Sequence, residues 1–256
     1  MINLFKNAIV RLPSLSIKDG LTSAQLGTPD FEPSVEQHKQ YTTTLKNLGL
    51  SVRILQSDNS FPDSTFIEDI AVCSGGWAVI TNPGAPTRSG EAKGMIEILR
   101  EYFNDIETIQ SPGTLEGGDV LNAGNHYYIG ISKRTNNEGA DQLIRILQRQ
   151  GMNGEKVELS TLLHLKSGTS YLENDILLVT GEIADNKVFK HFNRIRVDDS
   201  ECYAANSLWI NGKVLVPEGF PRTREKIEKA GYETITLNVS EFRKLDGGLS
   251  CLSLRF

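Results

Sequence analysis

The chain has 256 residues, 39% apolar and 23% charged, enough to bury a globular core, and its net charge of −5 with a pI near 5.5 leaves no basic stripe for a phosphate backbone, which excludes nucleic acid as an expected partner. No run approaches the roughly 18 apolar residues that cross a bilayer, and Met1 to Lys6 passes into a short strand pattern without the apolar segment of a secretory signal. Cys73, Cys202 and Cys251 are odd in number and irregularly spaced, which fits neither a disulfide framework nor paired zinc ligands and predicts a reducing, cytoplasmic setting.

Ala8-Ile9-Val10-Arg11 reads as a strand. After the loop Asp19-Gly20-Leu21-Thr22, a helix is expected from Pro33 to Leu48. A unit then recurs: a strand pair with glycine or asparagine at its turn, a helix and another strand. One copy runs from Phe66–Val72 through Gly75-Gly76 and the strand Trp77 to Thr81, then a helix Glu91 to Phe103 and a strand Ile106 to Ile109. The next runs from Thr114-Leu115-Glu116 through Gly124-Asn125 and the strand Tyr127 to Ile131, then a helix Glu138 to Gln150 and a strand Glu155 to Leu159. A third begins near His164 and a fourth near Ser207, while Leu249 to Phe256 forms a last strand pattern. A period near ~50 makes about five units, the fifth shared between the two ends of the chain. Pairing the last strand with the first would remove two exposed edges. The expectation is an α/β ring of repeated ββαβ units, with no linker to divide residues 1–256 into separate domains; an ordinary open α/β sheet is the alternative.

Glu68, Glu116 and His164 follow one another at a spacing of 48 residues. In a closed ring, equivalent positions converge on the axis, so these three side chains are expected to meet. Arg88 and Arg134 fall at similar offsets after Glu68 and Glu116. Strand alternation places Cys251, Ser253 and Arg255 on one face and Leu252, Leu254 and Phe256 on the other. A cysteine beside positive charge would favour the attacking thiolate, although a free cysteine also fills cores well. A thiol nucleophile needs a proton partner. His38 lies on a polar helix, His126 at a hairpin and His191 near a helix end, whereas His164 shares the register of the two glutamates; a satisfied core histidine is the other reading. Carboxylates from Glu68-Asp69 and Glu116-Gly117-Gly118-Asp119 around a thiol would suit a planar cation such as a guanidinium, unless they are edge charges or turn formers. Neither Gly117-Gly118 nor Asn82-Pro83-Gly84 matches a phosphate-cradling loop.

Four segments, Phe66-Ile67-Glu68-Asp69, Leu115-Glu116-Gly117-Gly118-Asp119, His164-Leu165-Lys166-Ser167-Gly168 and Asp246-Gly247-Gly248-Leu249-Ser250-Cys251, resemble in order and spacing those of the dimethylarginine dimethylaminohydrolases, within the guanidine-modifying pentein superfamily. The resemblance extends over essentially the whole chain. It implies a five-bladed α/β propeller, no metal or organic cofactor, and hydrolysis of an Nω-methylated arginine to citrulline and methylamine or dimethylamine through a covalent thiouronium. It also implies Cys251 as nucleophile, His164 as general acid/base and Glu116 as the carboxylate orienting it. Asp69 would anchor the guanidinium, Arg88 and Arg134 the α-carboxylate, and Asp63 with the backbone near Leu21 the α-amino group. Glu68 would lie beside the site, and the Leu21 loop would act as a mobile lid. The expected partner is a small-molecule substrate, with no membrane contact and a homodimer left open. Arginine deiminases carry an aspartate two residues after the histidine, where this chain has Lys166. A deiminase, an amidinotransferase-like enzyme and a non-catalytic amino-acid-binding propeller are the alternative readings.

Overall fold

Five short apolar runs, Ala8-Ile9-Val10, Ala78-Val79-Ile80, Tyr127-Tyr128-Ile129, Leu177-Leu178-Val179 and Val214-Leu215-Val216, are buried throughout. Each becomes the middle strand of its own three-stranded sheet. The structure, a computed structural model, describes residues 4–256; the reading of Met1 to Asn3 lies outside the described residues. In chain order, the first blade holds β1 (Asn7–Arg11), α1 (Phe31–Asn47) and β2 (Ser51–Leu55). The second has β3 (Ala71–Ser74), β4 (Trp77–Ile80), α2 (Met95–Leu99) and β5 (Asp105–Thr108). The third has β6 (Val120–Ala123), β7 (His126–Ile131), α3 (Asn137–Arg149) and β8 (Asn153–Glu158). The single turn α4 (Leu165–Gly168) opens the fourth, with β9 (Thr169–Tyr171), β10 (Ile176–Val179) and β11 (Asn193–Arg196). The fifth has β12 (Leu208–Ile210), β13 (Lys213–Pro217), α5 (Pro221–Lys229) and β14 (Glu233–Leu237), followed by α6 (Ser240–Arg243) and β15 (Leu254–Arg255).

Every sheet has the same internal order. The inner strand runs antiparallel to the middle one, and the outer strand lies parallel to it after a crossover. Successive side chains of a strand point to opposite faces, and here they feed alternate junctions between blades. Ala8 and Val10 pack with Leu208 and Leu215 of the fifth blade, while Ile9 packs with Ala78 and Ile80 of the second. Val79 meets Ile129, Tyr128 meets Leu177 and Val179, and Leu178 meets Val214 and Val216. Leu215 then returns to the first blade. Five cores, one per junction, close a five-bladed α/β propeller.

The ends of the chain complete the first blade as expected. β15 pairs antiparallel with β1, Ala8 opposite Arg255 and Ile9 opposite Leu254. Three readings need correction. The expected helix Glu91 to Phe103 shrinks to α2 because Gly90 and Gly94 adopt φ of 102° and 77°, a left-handed backbone that no helix continues through. Phe66–Val72 and Leu249–Phe256 are not strands from end to end: Ile67–Ile70 and Ser250–Leu252 are tight 3-10 turns, each leading into a short inner strand. His38, on the polar helix α1, is itself buried, 1% exposed. The fourth blade crosses over through two 3-10 turns, Gly181–Ile183 and Lys187–Phe189, instead of an α-helix.

Candidate active site

Each inner strand is preceded by a short helical segment: a single turn at Ile67–Ile70, Gly117–Asp119, α4 and Ser250–Leu252, and a longer one kinked at Glu201 over Asp199–Ala205. Because the inner strands stand nearest the axis, side chains from turns far apart in sequence meet there. Glu116 and His164 each stand immediately before their turn, and Glu68 lies one residue inside its own. The even spacing thus hides a small shift, and the shift separates their roles.

His164 Nε2 lies 2.7 Å from Glu116 Oε2. Burial works against charge on the imidazole, but Asp69, Asp119 and the bond to Glu116 prevail and lift its pKa to about 9. Burial likewise opposes charge on Glu116, yet His164, Arg88 and Arg134 hold its pKa down to about 2. Through His164, the resulting imidazolium–carboxylate pair faces a small cavity, with Glu116 buried behind the ring. Leu21, Asp63, Asp69, Arg88, Arg134, His164 and Cys251 all line that cavity.

Asp69 Oδ1 accepts the Gly118 N–H at 2.8 Å, and its Oδ2 accepts from Arg88 Nη1 at 2.5 Å. Arg88 is fully engaged, because Nε and Nη2 also donate to the two oxygens of Glu91 at 3.0 and 2.7 Å. Arg134 Nη1 reaches Glu116 Oε1 at 3.4 Å, and its side chain keeps 17% exposure. The loop at Leu21 is tied down. Its N–H donates to Asp63 Oδ1 at 3.1 Å, Thr22 Oγ1 donates to the Lys244 carbonyl, and the Ser23 N–H donates to Asp246 Oδ2 at 2.6 Å.

Cys251 sits partly buried on the Ser250–Leu252 turn, and the Gly248 N–H donates to its sulfur at 3.4 Å. The strand reading put Arg255 beside this thiol to favour its anion. Instead, Arg255 Nη2 donates to Glu68 Oε1 at 2.7 Å, and burial with the charges of Glu68 and Asp69 pushes the Cys251 pKa up to about 12. Glu68 does not line the cavity. It is buried beneath the nucleophile's turn, where it accepts from Ser250 Oγ at 2.8 Å and pairs with Lys166 at 2.7 Å.

Asp69, Glu116 and His164 place three donor atoms within 4.8 Å of one another. These donors are already committed to Arg88, the Gly118 N–H and each other. The set is that of carboxylates receiving N–H groups from flat cations rather than one awaiting a metal ion. The sequence reading passes over Glu91, which supports Arg88, and offers Asp119, whose charge supports His164, only as a carboxylate for a planar cation. For Glu91 a signal exists, its place three residues after Arg88; Asp119 stands in the quoted Glu-Gly-Gly-Asp segment.

A ring that gathers a thiol, an imidazolium and carboxylates from four blades around one small cavity places the chain in the guanidine-modifying class of α/β propellers. Known proteins narrow this. Residues 30–185 match the family described as N,N dimethylarginine dimethylhydrolase, eukaryotic. The N(G),N(G)-dimethylarginine dimethylaminohydrolase of Pseudomonas aeruginosa is 46% identical, covering 99% of this chain and all of that one. The enzyme of the same name from Streptomyces coelicolor is 33% identical over 98% of this chain and 96% of its own. A structure of the Pseudomonas aeruginosa enzyme, a cysteine-to-serine mutant complexed with citrulline, superposes with a TM-score of 0.98 at 45% identity, covering 99% of this chain and 100% of that one. The N-terminal domain of ArgZ, at 20% identity and a TM-score of 0.88 over 97% of each chain, shares the fold. The chain belongs to the dimethylarginine dimethylaminohydrolase family.

Proposed function

We propose that this chain hydrolyses an Nω-methylated arginine to citrulline and methylamine or dimethylamine, with Cys251 as nucleophile. The observation that carries the mechanism is His164, held 2.7 Å from the buried Glu116, on the wall of the cavity that Cys251 also lines. Asp69 supplies the negative partner for the substrate's guanidinium, which displaces Arg88 from that carboxylate, and Arg134, joined by Arg88 once released, faces the substrate's carboxylate. Asp63 and the Leu21 backbone serve the α-amino group. Phe66, Leu163 and Leu245 add apolar wall on which N-methyl groups can be buried, each contributing about 0.8 kcal/mol. The position two residues after His164 carries a lysine and therefore no carboxylate for the far nitrogens of an unmethylated guanidinium, and its pairing with Glu68 keeps the ammonium out of the cavity.

In the free enzyme the thiol is neutral and the imidazole charged. Arrival of a guanidinium cation offsets Glu68 and Asp69 and favours the thiolate, the thiol proton leaving to solvent. The sulfur then bonds to the central carbon, and His164 gives its proton to the departing amine as the C–N bond breaks. Neutral His164 next takes a proton from water while the oxygen attacks the thiouronium carbon. Collapse breaks the C–S bond and releases citrulline, with the surplus proton restoring the thiol. The whole chain acts as one catalytic unit, and nothing in this chemistry requires a metal or organic cofactor. Among the described residues no helix is long and apolar enough to cross a membrane, and the free thiols are in keeping with a cytoplasmic setting.

Purified protein given asymmetric dimethylarginine is expected to release citrulline and dimethylamine in equal amounts. Cys251→Ser should still bind the substrate but lose at least about 10³-fold in turnover. Faster ammonia release from free arginine would overturn the choice of substrate, and full activity in Cys251→Ser would overturn the mechanism.

A further inference from the structure

Asn206 follows the Asp199–Ala205 segment shortly before β12, whereas Glu116 and His164 precede the turns that lead into β6 and β9. It is 6% exposed and does not line the cavity. Its carboxamide is fully used. Nδ2 donates to the Lys166 carbonyl at 2.9 Å and to Ser250 Oγ at 3.0 Å, while Oδ1 accepts the Ser250 N–H at 3.0 Å. Lys166 lies two residues beyond His164, and Ser250 directly precedes Cys251. One side chain from the fifth blade therefore grips both the turn that carries the base and the turn that carries the nucleophile.

Ser250 is held at every polar atom, because its Oγ also donates to Glu68 at 2.8 Å and its carbonyl accepts from Arg255 Nη1 at 2.8 Å. The approach depends on Gly248: a Cβ there would stand 2.4 Å from Asn206 Oδ1. That same glycine supplies the N–H aimed at the Cys251 sulfur. We propose, taking the hydrolase reading as given, that Asn206 is a positioning residue that acts through Ser250 to fix the Cys251 thiol relative to His164 and keep the Gly248 N–H directed at sulfur. Only a neutral amide combines two donated bonds to carbonyl and hydroxyl with one accepted bond. Aspartate would lose the donors and add a negative charge behind the thiol.

Citrulline formation by the unaltered enzyme is measured first; if it fails, the hydrolase reading fails, whereas alkylation of Cys251 by iodoacetamide, followed on its own peptide by mass spectrometry, reads the clamp without turnover. Asn206→Ala is expected to lower kcat about 10²-fold with KM held within about threefold, since the chemistry and not the binding surface is displaced. Alkylation below pH 10 should slow about tenfold in Asn206→Ala and further in Asn206→Asp. Combined with Ser250→Ala, Asn206→Ala should lose little beyond the larger single loss, because the two act as a unit. A folded Asn206→Ala with kcat within about threefold of the parent, an unmoved alkylation profile, or losses that multiply would each overturn the proposal. Should Asn206→Ala fail to fold, Ser250→Ala, which removes one hydroxyl, carries the same readings: unchanged kcat and alkylation overturn it, and a fall in both supports it.

Discussion

The charges of Asp69 and Asp119 and the hydrogen bond between His164 and Glu116 set the ionic state of the site. The imidazole's pKa of about 9 lies above its ordinary 6.5, so the pair's contribution to stability is complete below pH 6.5 and is lost as pH rises through about 9. Glu116, at about 2 against an ordinary 4.5, contributes above pH 4.5 and loses that contribution as pH falls through about 2. The bond enters both shifts, and Asp69 and Asp119 act on the imidazole as Arg88 and Arg134 act on the carboxylate, so the two shifts are not added as the worth of this one contact. In Glu116→Gln the stability deficit by urea unfolding should therefore be widest near pH ~5.5 and narrow toward pH ~10. Turnover should fall by about 10²–10⁴-fold, and the alkaline limb of the pH–rate profile should move to lower pH because the imidazolium has lost its anion. A deficit independent of pH, or an unmoved alkaline limb, would show that the bond does not hold the proton where the mechanism needs it.

At the scale of the element, the unit of construction is a turn followed by an inner strand, and Gly118 is the point at which one such turn closes on the catalytic side chains. A Cβ there would stand 2.8 Å from Asp69 Oδ1 and from Cγ and Nδ1 of His164. Gly118→Ala is expected to lower unfolding free energy by about 1–3 kcal/mol and to displace the imidazole. Its kcat should drop at least about 10²-fold, measured beside a urea titration; retention of both would mean the turn has slack the packing does not suggest. These turns also mark the limit of what sequence reveals. Apolar middle strands and the helices α1 and α3 are legible because periodicity reports burial, and α3 further carries an Asn136 cap that accepts the Gly139 N–H. A 3-10 turn of three or four residues has no period to read, so Ile67–Ile70 and Ser250–Leu252 passed for strand, and Arg255 was placed beside the thiol instead of under Glu68. Of the residues that line the cavity, Phe66, Asp69, His164, Asp246, Gly247 and Cys251 stand in readable motifs. The ones that support it from behind, Asn206 and Glu91, make contacts between turns or loops that no motif encodes; only Asn206's place just before an inner strand points to it.

For the molecule as a whole, the ring depends on its last three residues. Lys6 and Asn7 both donate their N–H groups to the Phe256 carbonyl, and Phe256 donates back to Asn7. Leu254, 3% exposed, fills the junction between the first and second blades with Ile9, Ile70 and Ala78, while the Phe256 ring packs on Tyr102 and Phe103. Chain ends ordinarily fray and tolerate change. Here the end is a core strand, and the nucleophile lies three residues before the closing Leu254, so slack at the closure would pass directly to Cys251. Leu254→Ala should then cost about 2–4 kcal/mol in urea unfolding, the range of a buried large-to-small change. Leu15→Ala, at a side chain 62% exposed, should stay within about 0.5 kcal/mol. If the two variants unfold alike, the C-terminal strand is not what shuts the ring, and the five junctions must be held closed by the remaining four blades alone.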